Sequence, residues 1–153
     1  MSKPEWTFSE SPALEQFKKL GYEFKTQKEL HNGERESRYD VFIPGRFKKA
    51  IRKINAPWLS EEDADDVLRQ LKLFDTNSPL EANEIAYARL VGISRGNLKP
   101  ITLDQDRGDG TRPYTIKLFD FDSNDPLEKN DFLVTNQFKL LGHKDDIFPD
   151  VVL

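Results

Sequence analysis

Residues 130–153 read NDFLVTNQFKLLGHKDDIFPDVVL, and the fold turns on how this stretch divides. Positions 131–141 alternate apolar and polar side chains, the pattern of a strand with one buried face. A charged turn follows, and 147–153 reads as a second strand entered through Phe148-Pro149-Asp150. Proline suits a strand entrance because it has no amide hydrogen to give to a ladder. Val151, Val152 and Leu153 have the character of a buried strand, so the chain is expected to stop inside a sheet.

Two further strands are expected upstream, at 99–103 and 115–121. Between them DQDRGDGTRP (104–113) is turn chemistry, in which Asp109-Gly110 closes a hairpin. Before residue 94 the period becomes helical. Ser11-Pro12 opens a helix over 11–20 with Ala13, Leu14, Phe17 and Leu20 on one side and Gly21 as its stop. Tyr22-Glu23-Phe24 is a short strand, and HNGERESRYDVFIPG (31–45) a polar loop closing on Val41-Phe42-Ile43. A second helix, 46–54, spaces Phe47, Ala50, Ile51 and Ile54 for one face. The third opens with Ser60 and Asp63 as a capping box and holds Ala64, Val67, Leu68, Leu71 and Phe74 in period. The fourth starts at Ser78-Pro79, uses Ala82, Ile85, Ala86 and Leu90, and ends near Gly92. Helices first and strands later predict an α/β domain, or α+β as the alternative, with helices on a sheet built mostly from the C-terminal half. No internal repeat or linker divides residues 1–153, and the length is that of one domain.

Composition narrows the function. With 37% apolar and 33% charged residues, including 11 Phe, the chain has the material of a real core. The absence of cysteine excludes disulfides, thiolate zinc sites and cysteine nucleophiles, and suits a cytoplasmic protein. MSKPEWTFSE (1–10) lacks the apolar core of a signal peptide, and no apolar run approaches bilayer length, so no membrane partner is expected. A formal charge of −4 argues against binding nucleic acid through overall positive charge. The charge is nevertheless uneven. Arg46, Lys48, Lys49, Arg52 and Lys53 form a basic run, and Glu61, Glu62, Asp63, Asp65 and Asp66 an acidic one. The acids in the first turn of the third helix are accounted for by the helix dipole. The usual role of a basic run is a solvated helix face, and phosphate contact by Lys48, Lys49 and Arg52 is the alternative.

His31 and His143 both fall in polar segments and are expected to face solvent. Neither LGHKDD nor VGISRGN matches a phosphate cradle, and no Gly-x-Ser-x-Gly elbow is present. Carboxylates remain. Asp120, Asp122 and Asp125 lack the glycine and glutamate of a calcium loop and read as a polar strand end. Asp150 stands on a more rigid element, between Pro149 and an apolar run. Its two open roles are to cap or solvate the turn, the commoner one, or to ligate a hard cation.

Several stretches in order, SESPALEQFKKLGYEF (9–24), RYDVFIPGRFKKAIRKINA (38–56), EANEIAYARLVGI (81–93), IKLFDFDSNDPLEKNDFLVTNQFKL (116–140) and FPDVVL (148–153), resemble the N-terminal region of the restriction (R) subunits of type I restriction-modification enzymes. NDFLVTNQF after LFDFD, followed closely by PDVVL, is the most specific part. The resemblance implies a restriction-endonuclease-like domain of the PD-(D/E)xK type, N-terminal helices packed on a mixed sheet, that cuts duplex DNA with Mg²⁺. It further implies ATP-using motor domains beyond the chain, and methyltransferase and specificity subunits as partners. By the match of FPDVVL, Asp150 would be the metal-binding and catalytic aspartate; by SESPALEQFKKLGY, Glu10 would join it from the first helix, although Pro12 predicts a helix beginning at Ser11, just past Glu10. The Glu-x-Lys half of the motif is expected on the next strand, after Leu153. The domain is therefore read as incomplete at its C-terminus, with Mg²⁺ bound weakly or not at all and no cleavage by residues 1–153 alone. The alternative function is a non-catalytic module for subunit docking or DNA contact, in which Asp150 is structural.

Overall fold

The computed structural model describes residues 9–35, 37–142, 144–149 and 151–153. These form two compact units, one of residues 1–46 with 131–153 and the other of 47–130. As expected for an α/β domain, helices are combined with a mixed and an antiparallel sheet.

In the first unit, helix α1 (Ser11–Lys19) carries proline in its first turn and Lys18 and Lys19 in its last. Cations there face the negative end of the helix dipole. Its C-terminus is closed by two bonds, Gly21 N–H to Lys18 C=O and Tyr22 N–H to Phe17 C=O, both 3.0 Å. Gly21 at φ 92 supplies the left-handed residue that this closure requires. The rings of Phe17 and Tyr22 meet edge-on at 5.2 Å, sealing the turn with an apolar contact. The chain is thereby delivered straight into strand β1 (Glu23–Phe24). A capping box then starts helix α2 (Gln27–Gly33), in which Thr26 accepts from Glu29 N–H and the Glu29 carboxylate accepts from Thr26 N–H. This helix lies where a polar loop was expected from residue 31. Its one fully buried apolar residue is Leu30, which shows no period by itself.

Of the other strands in this unit, β4 (Leu133–Asn136) and β5 (Val151–Val152), β4 is central. The order is β1-β4-β5, with β1 parallel and β5 antiparallel to β4. Glu23 N–H donates to Phe132 C=O at 2.9 Å and Lys25 N–H to Val134 C=O at 3.1 Å. On the other edge Thr135 pairs with Val152 and Asn136 with Val151. The strand expected over 131–141 is thus shorter, ending at Asn136 just before Gln137, which adopts φ 52. Pairing resumes at Leu140 and Ile147, which exchange two 2.8 Å bonds. Likewise the strand expected over 147–153 reduces to that bridge and β5.

Arg46, with only 15% of its side chain exposed, ties this unit together electrostatically. Its guanidinium lies 2.6 Å from Asp131 just before β4 and 2.5 Å from Glu23 on β1. Glu34, after α2, is 3.7 Å away and pairs with Lys25. The hydrogen bond from Arg46 is the main cause that holds the Glu23 carboxyl below its ordinary value of 4.5.

Helix α3 (Pro44–Ile54) begins two residues before the expected start, with Pro44 in the first turn. In the second unit, helix α4 (Glu61–Lys72) has the predicted Ser60 and Asp63 capping box and buries Ala64, Val67, Leu68 and Leu71. Phe74 falls beyond its end and is 39% exposed. Helix α5 (Pro79–Val91) runs from Ser78 to Gly92 as read, but it buries Ala88 and leaves Leu90 exposed. Arg89 explains the difference: it donates at 2.6 Å to the carbonyls of both Gln70 and Leu73 and so caps α4 from α5.

The strands expected at 99–103 and 115–121 are displaced. Strands β2 (Thr102–Asp106) and β3 (Thr111–Thr115) form an antiparallel hairpin, with Asp106 opposite Thr111. Asp106 Oδ1 accepts from Gly108 and Gly110 and closes the loop. After Thr115 the pairing goes one residue further, with Ile116 N–H donating to Ile101 C=O at 2.9 Å, and at Lys117 a side chain takes the place of the neighbouring strand. Asn55 Oδ1 accepts from Lys117 N–H at 2.9 Å and its Nδ2 donates to Lys117 C=O at 2.8 Å and Ile51 C=O at 2.7 Å.

Two outcomes follow from these contacts. Asn55→Ala removes the side chain that satisfies both backbone groups of Lys117 at a part-buried position and is expected to destabilise the protein by roughly 1–3 kcal/mol in chemical denaturation; a change under about 0.5 kcal/mol would show the bonds to be dispensable. Because Glu23 titrates lower in the folded state, its contribution is complete above pH 4.5 and is lost as pH falls through the depressed value. Arg46→Met should flatten this acid-side loss of stability, measured as melting temperature against pH.

Candidate functional site

Glu10 is the one predicted site acid whose surroundings are described. It has helical angles, φ −68 and ψ −50, so the helical path is under way before Ser11. This turns its side chain inward: Glu10 is only 3% exposed. Its Oε1 accepts a 3.2 Å hydrogen bond from Gln137 Nε2. Its Oε2 is buried and has no partner among the described residues. A buried carboxylate oxygen without a donor is costly, and it is also the atom type that a hard divalent cation takes as ligand. Glu10 therefore fits such an ion. Asp150 lies outside the described residues. Its chain neighbour Val151 pairs with Asn136 on β4, adjacent to Gln137. Among the described residues no three His, Cys, Asp or Glu side chains gather as a metal site.

Two residues near this point were not singled out in the sequence. Gln137 reaches Glu10 from the end of β4, at a backbone angle that glutamine seldom adopts, at a cost of order 1–2 kcal/mol. Arg35, 4% exposed, stacks 4.0 Å over the Phe138 ring. It donates to three carbonyls, those of Lys139 at 2.7 Å, Arg38 at 3.0 Å and Asp40 at 3.0 Å. Burial, the largest cause, lowers its pKa. Only the unusual φ could have singled out Gln137, and a glutamine in the sequence does not signal one.

The basic run is placed differently from a free cationic face. Lys48 Nζ sits 2.9 Å from Asp65 and 3.2 Å from Glu61, and Arg52 pairs with Glu61 as well. Hydrogen bonding to Asp65, then to Glu61, raises the Lys48 pKa. Lys49 is exposed, and no acid pairs with it among the described residues.

Asp120 is not the end of a strand but the anchor of a loop. Its carboxylate accepts from Ser123 Oγ and from Asp122 N–H, while Asn130 Oδ1 accepts from Asp120 N–H at 2.8 Å. The Ser123 hydroxyl is the main cause that lowers the Asp120 pKa. Asp122 pairs with Lys117. These acids are spent within the protein. His31 stands in α2 rather than in a loop, with a buried Nδ1 that has no partner among the described residues; His143 lies outside the described residues. A cavity of about 240 Å³, bounded by Leu90, Ile116, Leu118 and Phe119 among others, includes none of the predicted site residues. Among the described residues no helix is long and apolar enough to cross a membrane.

Comparison with known proteins bears on the same stretches. Residues 3–153 match the family model described as type I restriction enzyme R protein N terminus. A Methanocaldococcus jannaschii protein named "Putative type I restriction enzyme MjaIXP endonuclease subunit" is 34% identical over 133 residues, 86% of this chain. The match spans 12% of that protein's length. No solved structure matches the chain. The order of helices and the mixed sheet is that of an α/β restriction-endonuclease-like domain, and the chain belongs to the family of type I restriction enzyme R protein N-terminal regions.

Proposed function

We infer that this region contributes the first acids of a Mg²⁺-dependent nuclease site to the DNA-cleaving subunit of a type I restriction enzyme. The observation that carries this reading is the buried Oε2 of Glu10, without a partner among the described residues, on a chain whose family is that of restriction enzyme R protein N-terminal regions. Glu10 and Asp150 would hold the ion. Once bound, Mg²⁺ supplies positive charge against the phosphoryl oxygens of a scissile phosphodiester. Glu10 contributes an oxygen on a short, partly buried helical start, which fixes its direction better than a mobile loop would. Its burial keeps bulk water from the same oxygen. Asp150, after the rigid Pro149, contributes a second oxygen in this reading.

Duplex DNA is the substrate, and ATP-driven motor domains together with methyltransferase and specificity subunits are the partners that the reading entails. Lys48, Lys49 and Arg52 are assigned to phosphate contact. Of these Lys49 carries the assignment best, since the charges of Lys48 and Arg52 are already engaged by acids.

In the subunit as the gene encodes it, Asp150→Ala and Glu10→Gln are expected to lower DNA cutting by at least ~10²-fold with ATP-driven translocation intact. Cutting at the wild-type rate by both variants would overturn the reading. Lys49→Ala should reduce the slope of log binding constant against log salt by about 1, and Lys48→Ala by less; equal slopes for Lys49→Ala and wild type would remove Lys49 from the DNA contact.

A further inference from the structure

We propose that Gln137 is a positioning residue for the Glu10 carboxylate, holding Oε1 so that Oε2 faces a divalent cation. The inference rests on the reading of Glu10 as a ligand and adds a residue to it. Three observations carry it. Gln137 Nε2 donates to Glu10 Oε1 at 3.2 Å, while Oε2 is buried and without a partner among the described residues. An amide N–H can only donate, so this bond fixes one oxygen without supplying a competing positive charge. Gln137 makes this bond at φ 52, immediately past the last residue of β4.

The segment that follows is braced on several sides, which is what an unfavourable backbone angle needs in order to persist. Phe138 N–H donates to Pro149 C=O at 3.3 Å, Lys139 N–H to Gln27 Oε1 at 3.1 Å, and Leu141 N–H to Arg38 C=O at 3.0 Å. Arg35 holds the Lys139 carbonyl at 2.7 Å and covers the Phe138 ring. The bracing keeps residue 137 in a conformation that asparagine or glycine would adopt with less strain. A residue chosen only for the turn would be one of those two. Glutamine adds reach: asparagine is one methylene shorter and falls short of Glu10.

The test uses Gln137→Asn and Gln137→Gly in the subunit as the gene encodes it, with Glu10→Gln alongside. Mn²⁺ binding is measured calorimetrically without nucleotide or DNA, and melting temperature is measured without metal. Both Gln137 variants should keep or raise the melting temperature, because the backbone strain is relieved, yet weaken Mn²⁺ binding by roughly 10-fold or more. Any variant that retains its melting temperature decides the matter: wild-type Mn²⁺ affinity there overturns the proposal. A fall in melting temperature in both variants overturns it too, since Gln137 would then be structural. If Glu10→Gln also binds Mn²⁺ as wild type does, the ligand reading itself fails; if Glu10→Gln loses binding and the Gln137 variants do not, only the positioning role fails.

Discussion

Strand β4 is the constraint on which the first unit depends. It has four residues, is bonded on both edges, and buries Val134 completely. Its partners have two residues each, too short to persist without a shared centre. A parallel neighbour cannot be reached by a tight turn and requires a long crossover. Here the crossover from Phe24 to Leu133 contains the whole of the 47–130 unit. Registration of β1 on β4 is therefore a long-range event in the chain, and local devices reduce its cost. The Gly21 closure and the Phe17–Tyr22 contact aim β1 as soon as α1 forms, and Tyr22 then meets Phe132 with ring centroids 4.9 Å apart.

Electrostatics reinforces the same pairing. Arg46 joins acids from the start of β1, the end of α2 and the approach to β4, three points far apart in sequence. With little exposure it is less screened than an ordinary surface pair, whose contribution is small. One guanidinium satisfies several carboxylates because its donors fan out in a plane, which a lysine ammonium does not do. In the second unit Lys48 and Arg52 are likewise matched to Glu61 and Asp65. Two cations of the basic run are thus matched by two acids of the acidic one, and Glu61, in the first turn of α4, serves the helix dipole and both cations at once.

Much of this was legible where one local signal decides the outcome. Ser60 with Asp63, Ser78-Pro79, Gly21 and Gly92 mark helix ends through backbone chemistry that needs no tertiary partner. Thr26 with Glu29 was an equally good signal for α2, hidden because a seven-residue helix with a single buried leucine has no readable period. The strands were harder. Residues 115–121 look like a strand by alternation, but their backbone is partly bonded to Asn55, a polar residue near the end of a helix face that gives no hint of its distant partner. Glu10 was singled out through the family resemblance, while its burial was not readable from the sequence. Gln137 and Arg35 were not, because their roles depend on a backbone angle and on three carbonyls that only the folded chain assembles.

The neighbourhood of Glu10 departs from what stability alone would select. A carboxylate is buried with one oxygen unpaired among the described residues, and the residue that holds its other oxygen sits at an unfavourable φ. Each departure costs free energy in the isolated fold. Arg35, buried, bonded to three carbonyls and stacked on Phe138, adds the desolvation of a third charged or strained group within the same unit. Replacement by apolar residues would relieve such costs if packing were the only demand. A ligand that binds the folded chain alone offsets them by mass action, in proportion to its concentration over its dissociation constant. In the proposed role of Glu10, an oxygen already desolvated and held in direction by Gln137 would need little reorganisation to take a cation, and that preorganisation is what the strain at residue 137 would serve.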